Sequence, residues 1–171
     1  MQLPEFPAVD PSTEATDRHD SPQHDLPVET SQFDFWLGDW DLTWENGGAG
    51  TNTVSRILGG KVVEERFTAF ATSPDEQPFQ GLSLSVFVQS LGKWRQTWVD
   101  SAGNYMNFVG SYADEKLVLS MERTVNGIPH TYRMVFYNLA KHSLDWDWER
   151  SEDGGQSWEL LWRIHYHRRA Q

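Results

Sequence analysis

Hydrophobic and polar positions alternate along most of this chain, and the largest apolar side chains keep the beat. Eight of the nine tryptophans fall into four pairs spaced by two or four: Trp40 and Trp44, Trp94 and Trp98, Trp146 and Trp148, Trp158 and Trp162. Side chains of a strand point to opposite faces with a period of two, so each pair shares one face of its strand. A face of indoles belongs indoors. Asp39, Asp41, Asp145, Asp147 and Glu149 alternate with these tryptophans and read as a solvated outer face.

The pattern predicts about ten strands, near 38–45, 50–58, 61–70, 80–89, 93–100, 104–112, 116–123, 130–138, 142–150 and 157–167. Turn chemistry divides them at Asn46-Gly47, Gly59-Gly60, Gly92, Ala102-Gly103, Asn126-Gly127 and Asp153-Gly154-Gly155. Ser31 is placed to cap a short turn through Phe35, which Gly38 ends. The longest connection, 71–78, has no room for a crossover helix, so neighbouring strands are expected to run antiparallel. A meander without helical cover hides both edges by closing on itself. The expected fold is therefore all-β: a closed antiparallel up-and-down barrel of about ten strands with a short N-terminal helical turn. Eight strands enclose a space that side chains just fill, and ten leave room for large residues, water or a ligand.

Charge separates a tail from this body. Residues 1–32 carry seven acids against Arg18 alone, a balance of −6 within the total of −11, which leaves −5 for residues 33–171. Pro4, Pro7, Pro11, Pro22 and Pro27 interrupt the acidic run. Residues 1–31 thus read as a disordered tail that buries too little apolar surface to offset its ordering entropy, and 32–171 as the barrel. The mildly acidic body lacks the basic footprint of a nucleic-acid binder. No stretch approaches the roughly 18 apolar residues of a helical membrane span. The opening MQLPEFPAVD has no basic and apolar signal pattern, and cysteine is absent. Both features lean towards the cytoplasm. Subunit number, monomer or homodimer, is not readable.

Gly38-Asp39-Trp40, opening the first strand after a short turn, resembles the Gly-x-Trp signature of the lipocalin and fatty-acid-binding-protein (calycin) superfamily. The resemblance implies that Trp40 closes one barrel end with a basic residue of the last strand packed over it, either Arg163 or Arg168. FDFWLGDWDLTW, GKWRQTWVDSAG and WERSEDGGQSWELLWRIHYHRR look like a bacterial domain family of unknown function with a lipocalin-like barrel. That similarity spans roughly residues 32–169 and implies a fold but no activity. Ser151, Asp153, Gly155, Ser157 and Trp158 fit the Asp-box of sialidase propellers, Ser-x-Asp-x-Gly-x-Thr-Trp. A single copy on so short a chain implies a structural hairpin rather than a glycosidase.

Polar residues forced indoors are the candidate site. Trp94, Gln96, Trp98 and Asp100 share one parity. On KVVEERFTAF, 61–70, Glu65 enters the lumen if Val63 and Phe67 do, and Glu64 and Arg66 enter if Val62 and Phe70 do. Either register buries a charge, which must be paired or neutralised. Arg133 is a candidate partner, and Asn107 a further contributor. Glu65, Arg66, Gln96, Trp98, Asp100, Arg133, Trp146 and Trp148 make up the expected ligand-binding set. One reading is a small-molecule binder that takes a hydrophobic or aromatic ligand against the tryptophans. A second is an enzyme of isomerase, dehydratase or cyclase type with Glu65 or Asp100 as proton-transferring carboxylate. A third is a solid barrel whose surface or tail binds a protein partner. His165 and His167 share the parity of Glu159, Leu161 and Arg163, opposite Trp158, Leu160, Trp162, Ile164 and Tyr166. They are therefore expected to face outward, so no metal site is expected and no cofactor is assigned; a haem-binding barrel, like the nitrobindin-like ten-stranded barrels that hold haem through a histidine, is kept as a further alternative.

Overall fold

The computed structural model describes residues 28–170. The expected tail lies outside the described residues up to position 27. Ten strands follow in chain order: β1 (Gly38–Trp44), β2 (Gly48–Ile57), β3 (Val62–Ala69), β4 (Phe79–Val88), β5 (Lys93–Asp100), β6 (Tyr105–Ala113), β7 (Lys116–Val125), β8 (Ile128–Tyr137), β9 (Ser143–Ser151) and β10 (Glu159–Arg168). Each pairs antiparallel with its sequence neighbours, and β1 pairs with β10, so the sheet closes into the expected barrel. The closing seam is short, running from Trp40 opposite Arg168 to Thr43 opposite His165.

The helical turn is longer than expected and begins earlier. A 3-10 segment, Val28–Trp36, plugs one end of the barrel, and the Ser31 hydroxyl donates to the Val28 carbonyl rather than capping a later start. Residues 28–31, placed in the tail from sequence, therefore open this segment, with Thr30 buried. Phe33 and Trp36 are fully inside. The Phe33 ring meets Trp94 edge-on at 4.5 Å, and Trp36 meets Phe136 at 5.0 Å. Trp40 Nε1 donates to the Trp36 carbonyl at 2.8 Å, and Trp94 Nε1 to Gln32 Oε1 at 3.0 Å. Two buried indole N–H groups are thereby satisfied by the plug itself.

Arg168 fastens the plug. Its guanidinium lies 4.0 Å over the Trp40 ring and donates to the carbonyls of Phe35, Leu37 and Lys141. Of the two arginines proposed to cover Trp40, Arg168 takes the place. Arg163 instead lies on the outer face and makes paired hydrogen bonds to Asp147 at 2.7 and 2.6 Å.

The tryptophan parity holds on β1, β5 and β9, where Trp40, Trp94, Trp98, Trp146 and Trp148 join the core. It breaks on β10. Leu160 pairs with Glu149 and Trp162 with Trp148, so Leu161 is an extra residue in a bulge. Beyond that bulge the faces exchange. Trp162 stays inside, Leu160 turns to solvent, and Trp158 sits outside beneath the Arg133 guanidinium, 3.7 Å from its ring. Asp147 is a second departure, since Arg163 and Tyr137 cover it on the outer face and leave it 4% exposed.

Candidate functional site

The plugged end and the opposite end differ in burial. Trp36, Phe136 and Ile164 are buried near the plug, whereas Phe79, Trp98, Met106, Trp148 and Trp162 towards the far end are half-buried. Between them lies a cavity of about 160 Å³ lined by fifteen residues, all aromatic or apolar except Glu65 and Asp100. A dry engineered cavity of about 150 Å³ takes a benzene ring, so this space suits one small ring system.

β9 and β10 present Trp146, Trp148 and Trp162 to the cavity. β4 turns small residues inward, and larger side chains occupy the room they leave: Trp98 lies over Gly81, and Glu65 and Gln96 bond Ser83 and Ser85. A Cβ on Gly81 would come within 2.1 Å of the Trp98 ring, so only glycine lets that indole lie across the strand. Trp162 stands edge-on to Phe67 at 6.0 Å and to Trp146 at 5.8 Å. The Trp146 and Trp148 rings are nearly parallel, with centroids 6.5 Å apart.

One polar cluster interrupts the aromatic lining. Glu65 is buried and accepts hydrogen bonds from Asn52 Nδ2 at 2.8 Å and Ser83 Oγ at 2.6 Å. Asn52 Nδ2 also lies 3.4 Å from the Tyr166 hydroxyl. Among the described residues, no cation pairs with this carboxylate. Burial therefore dominates and pushes the Glu65 carboxyl up to about 7, against the two hydrogen bonds that favour its ionised form. Burial, and then the Glu65 charge, keep the Tyr166 hydroxyl well above the ordinary phenol range, so it stays protonated. Asp100 is different. Burial alone would raise its carboxyl, but hydrogen bonds from the Trp98 indole, the Asn104 side chain and the amides of Asn104 and Ala102 hold it below the ordinary range. With its oxygens occupied by the turn, Asp100 organises the mouth and is a poor base.

Of the eight residues singled out from sequence, Glu65, Trp98, Asp100, Trp146 and Trp148 line the cavity. Gln96 points inward one layer nearer the plug, where its amide donates to Ser85 Oγ at 2.9 Å. Arg66 and Arg133 do not enter the lumen. The register that admits Val63, Glu65 and Phe67 turns Arg66 outward onto Glu64 at 2.8 Å. Arg133 lies between the inward Tyr132 and Met134, so it faces out and meets Glu149 at 2.5 Å. Asn107 also faces out, accepting from the Thr97 hydroxyl at 2.9 Å. Sequence reasoning missed Asn52 and Ser83. The signal for Ser83 was inverted, because the alternation in β4 sends Leu84 and Val86 outward and the small residues inward.

Among the described residues no histidine lines the cavity, and its volume holds far less than a porphyrin, so these residues do not fit haem. His165 points outward, 2.6 Å from Asp145. Among the described residues, no three His, Asp or Glu side chains converge as metal ligands.

The fold and cavity define a closed ten-stranded antiparallel β-barrel with an aromatic lumen plugged at one end. No family model matches the chain, and no curated protein matches it. Among solved structures, the chain is similar to a de novo designed fluorescence-activating β-barrel. The two share 15% identity with a TM-score of 0.42, over 83% of this chain and 99% of the design. No helix of the described residues is long and apolar enough to cross a membrane.

Proposed function

We propose that this protein binds a small hydrophobic or aromatic molecule inside the barrel. The observation that carries the reading is the unfilled space of about 160 Å³ among indole and phenyl rings. Interiors are ordinarily close-packed, and lining atoms beside a void lose their dispersion partners. The rings of Trp98, Trp146, Trp148 and Trp162 border that space without filling it. A flat ring entering between them regains the missing contacts and fixes its orientation at the Glu65 cluster.

Native mass spectrometry of the freshly purified chain tests this. A retained small molecule, lost on denaturation and absent from a Met106→Trp variant that fills the mouth, is the expected result. Toluene is the companion probe: it should raise the melting temperature of the wild type in proportion to ligand concentration and leave the filled variant unmoved. Failure of both would end the binding reading.

A second reading rests on Glu65 alone. A carboxyl near 7 inside an apolar pocket is suited to general acid–base chemistry on a bound substrate. Glu65→Gln should then abolish turnover while leaving occupancy of the lumen intact.

A further inference from the structure

Resting on the reading of the lumen as a ligand site, we infer that the preferred ligand is an organic cation: a single flat ring bearing a protonated amine, with the ammonium against Glu65 and the ring among the indoles.

Charge inside the cavity is one-sided. Its fifteen lining residues include two carboxylates, Glu65 and Asp100, and no lysine, arginine or histidine. None of the described arginines lines the cavity. Arg56 holds the plug through Asp34, Arg168 covers Trp40, and Arg66, Arg133 and Arg163 lie outside. A carboxylic ligand would therefore meet repulsion and no counter-ion.

Glu65 has room for a donor that the described residues do not supply. Each of its oxygens takes one hydrogen bond, from Asn52 and from Ser83, and a carboxylate accepts about four. An ammonium supplies three donors and the missing charge. Desolvation ordinarily weighs against a buried ion pair. Here the carboxylate is already out of water in the folded protein, so that part of the penalty falls on folding rather than on binding. The ligand's own desolvation remains, and the aromatic faces offset it. Trp98, Trp146, Trp148 and Trp162 present electron-rich rings around the same space, the environment in which a desolvated cation gains most. A neutral alcohol gains the ring contacts and one hydrogen bond to Glu65, without the charge.

Three ligands of one shape separate the possibilities. Benzylamine, benzyl alcohol and benzoate are titrated by calorimetry, at a pH above 7 where the amine is still protonated, into wild-type protein and Glu65→Gln. The expected order is benzylamine first, by about tenfold over the alcohol, with benzoate not detected. In Glu65→Gln the amine should fall to the level of the alcohol. Toluene, which has no polar group to meet residue 65, should still raise the melting temperature of the variant, which also shows that it is folded. The inference is overturned if alcohol and amine bind equally to the wild type, or if the amine preference survives Glu65→Gln; the lumen then remains a neutral-ligand site. If none of the three binds the wild type, both the inference and the lumen reading fall.

Discussion

At the scale of single residues, Glu65 has the largest thermodynamic consequence, because its burial lacks a compensating charge. In the unfolded chain its carboxyl titrates near 4.5, and in the barrel near 7. The folded state therefore binds more protons between those values, and stability must fall as pH rises through that window. The resulting loss is roughly 3 kcal/mol, fully expressed once pH exceeds 7. Tyr166 remains protonated throughout, so it adds no slope there. Asp100, held low, acts with the opposite sign and only in acid, where its contribution is lost as it protonates. Urea unfolding at pH 5 and pH 8 should show the wild type losing stability towards alkaline pH, and Glu65→Gln should flatten most of that difference. An unchanged slope in the variant would mean that Glu65 has a hydrated or charge-paired environment instead. Sequence alone brought this residue into view by elimination, since either register of KVVEERF buries a charge. It left the Asn52 and Ser83 donors unseen, because cross-strand neighbours depend on register.

At the scale of elements, the strands were legible and two of their faces were not. Turn residues and tryptophan spacing located all ten strands, because glycine and asparagine at tight turns leave little freedom in where a hairpin ends. Face assignment failed where the period-two rule does. The bulge at Leu161 exchanges the faces of β10, and no residue type announces it. β4 keeps the period but puts serine inward, where Ser83 and Ser85 bond Glu65 and Gln96, and leucine outward. The hairpin between β9 and β10 behaves as its Asp-box pattern implies. Asp153 accepts from the amides of Gln156 and Ser157 at 2.9 Å and from the hydroxyls of Ser151 and Ser157. Those donors, led by Ser157, hold its carboxyl well below the ordinary range. The turn's support is accordingly present at neutral pH and lost only in strong acid. Asp153→Ala should speed amide exchange at Gln156 and Ser157 by at least about tenfold, as local opening no longer breaks those bonds. Benzyl alcohol affinity should stay within about twofold, since Trp158 lies outside the lumen. A large loss of affinity would show that this hairpin shapes the mouth.

For the whole molecule, closure was the decisive inference from sequence: ten antiparallel strands with no helices to cover a sheet edge have one economical arrangement. What closure requires physically is that the ends of the chain meet across its full length. The β1–β10 seam joins only Trp40–Thr43 to His165–Arg168, whereas β7 and β8 pair along nine positions from Leu117 to Val125. A short, non-local seam repays its loop entropy late, after the local hairpins have formed. Arg168 reinforces that seam by bonding carbonyls up to 133 residues away in sequence, at Phe35 and Leu37, while stacking on Trp40. Its interactions should accordingly be absent from the folding transition state. Arg168→Met keeps the apolar stem over the indole and removes the charge-assisted hydrogen bonds. The loss should be about 2 kcal/mol, appearing as a roughly 30-fold faster unfolding rate with the folding rate nearly unchanged. Stopped-flow chevrons for the wild type and Arg168→Met distinguish this from the alternative. If folding slows instead, closure forms early and the barrel is organised around its seam rather than its hairpins.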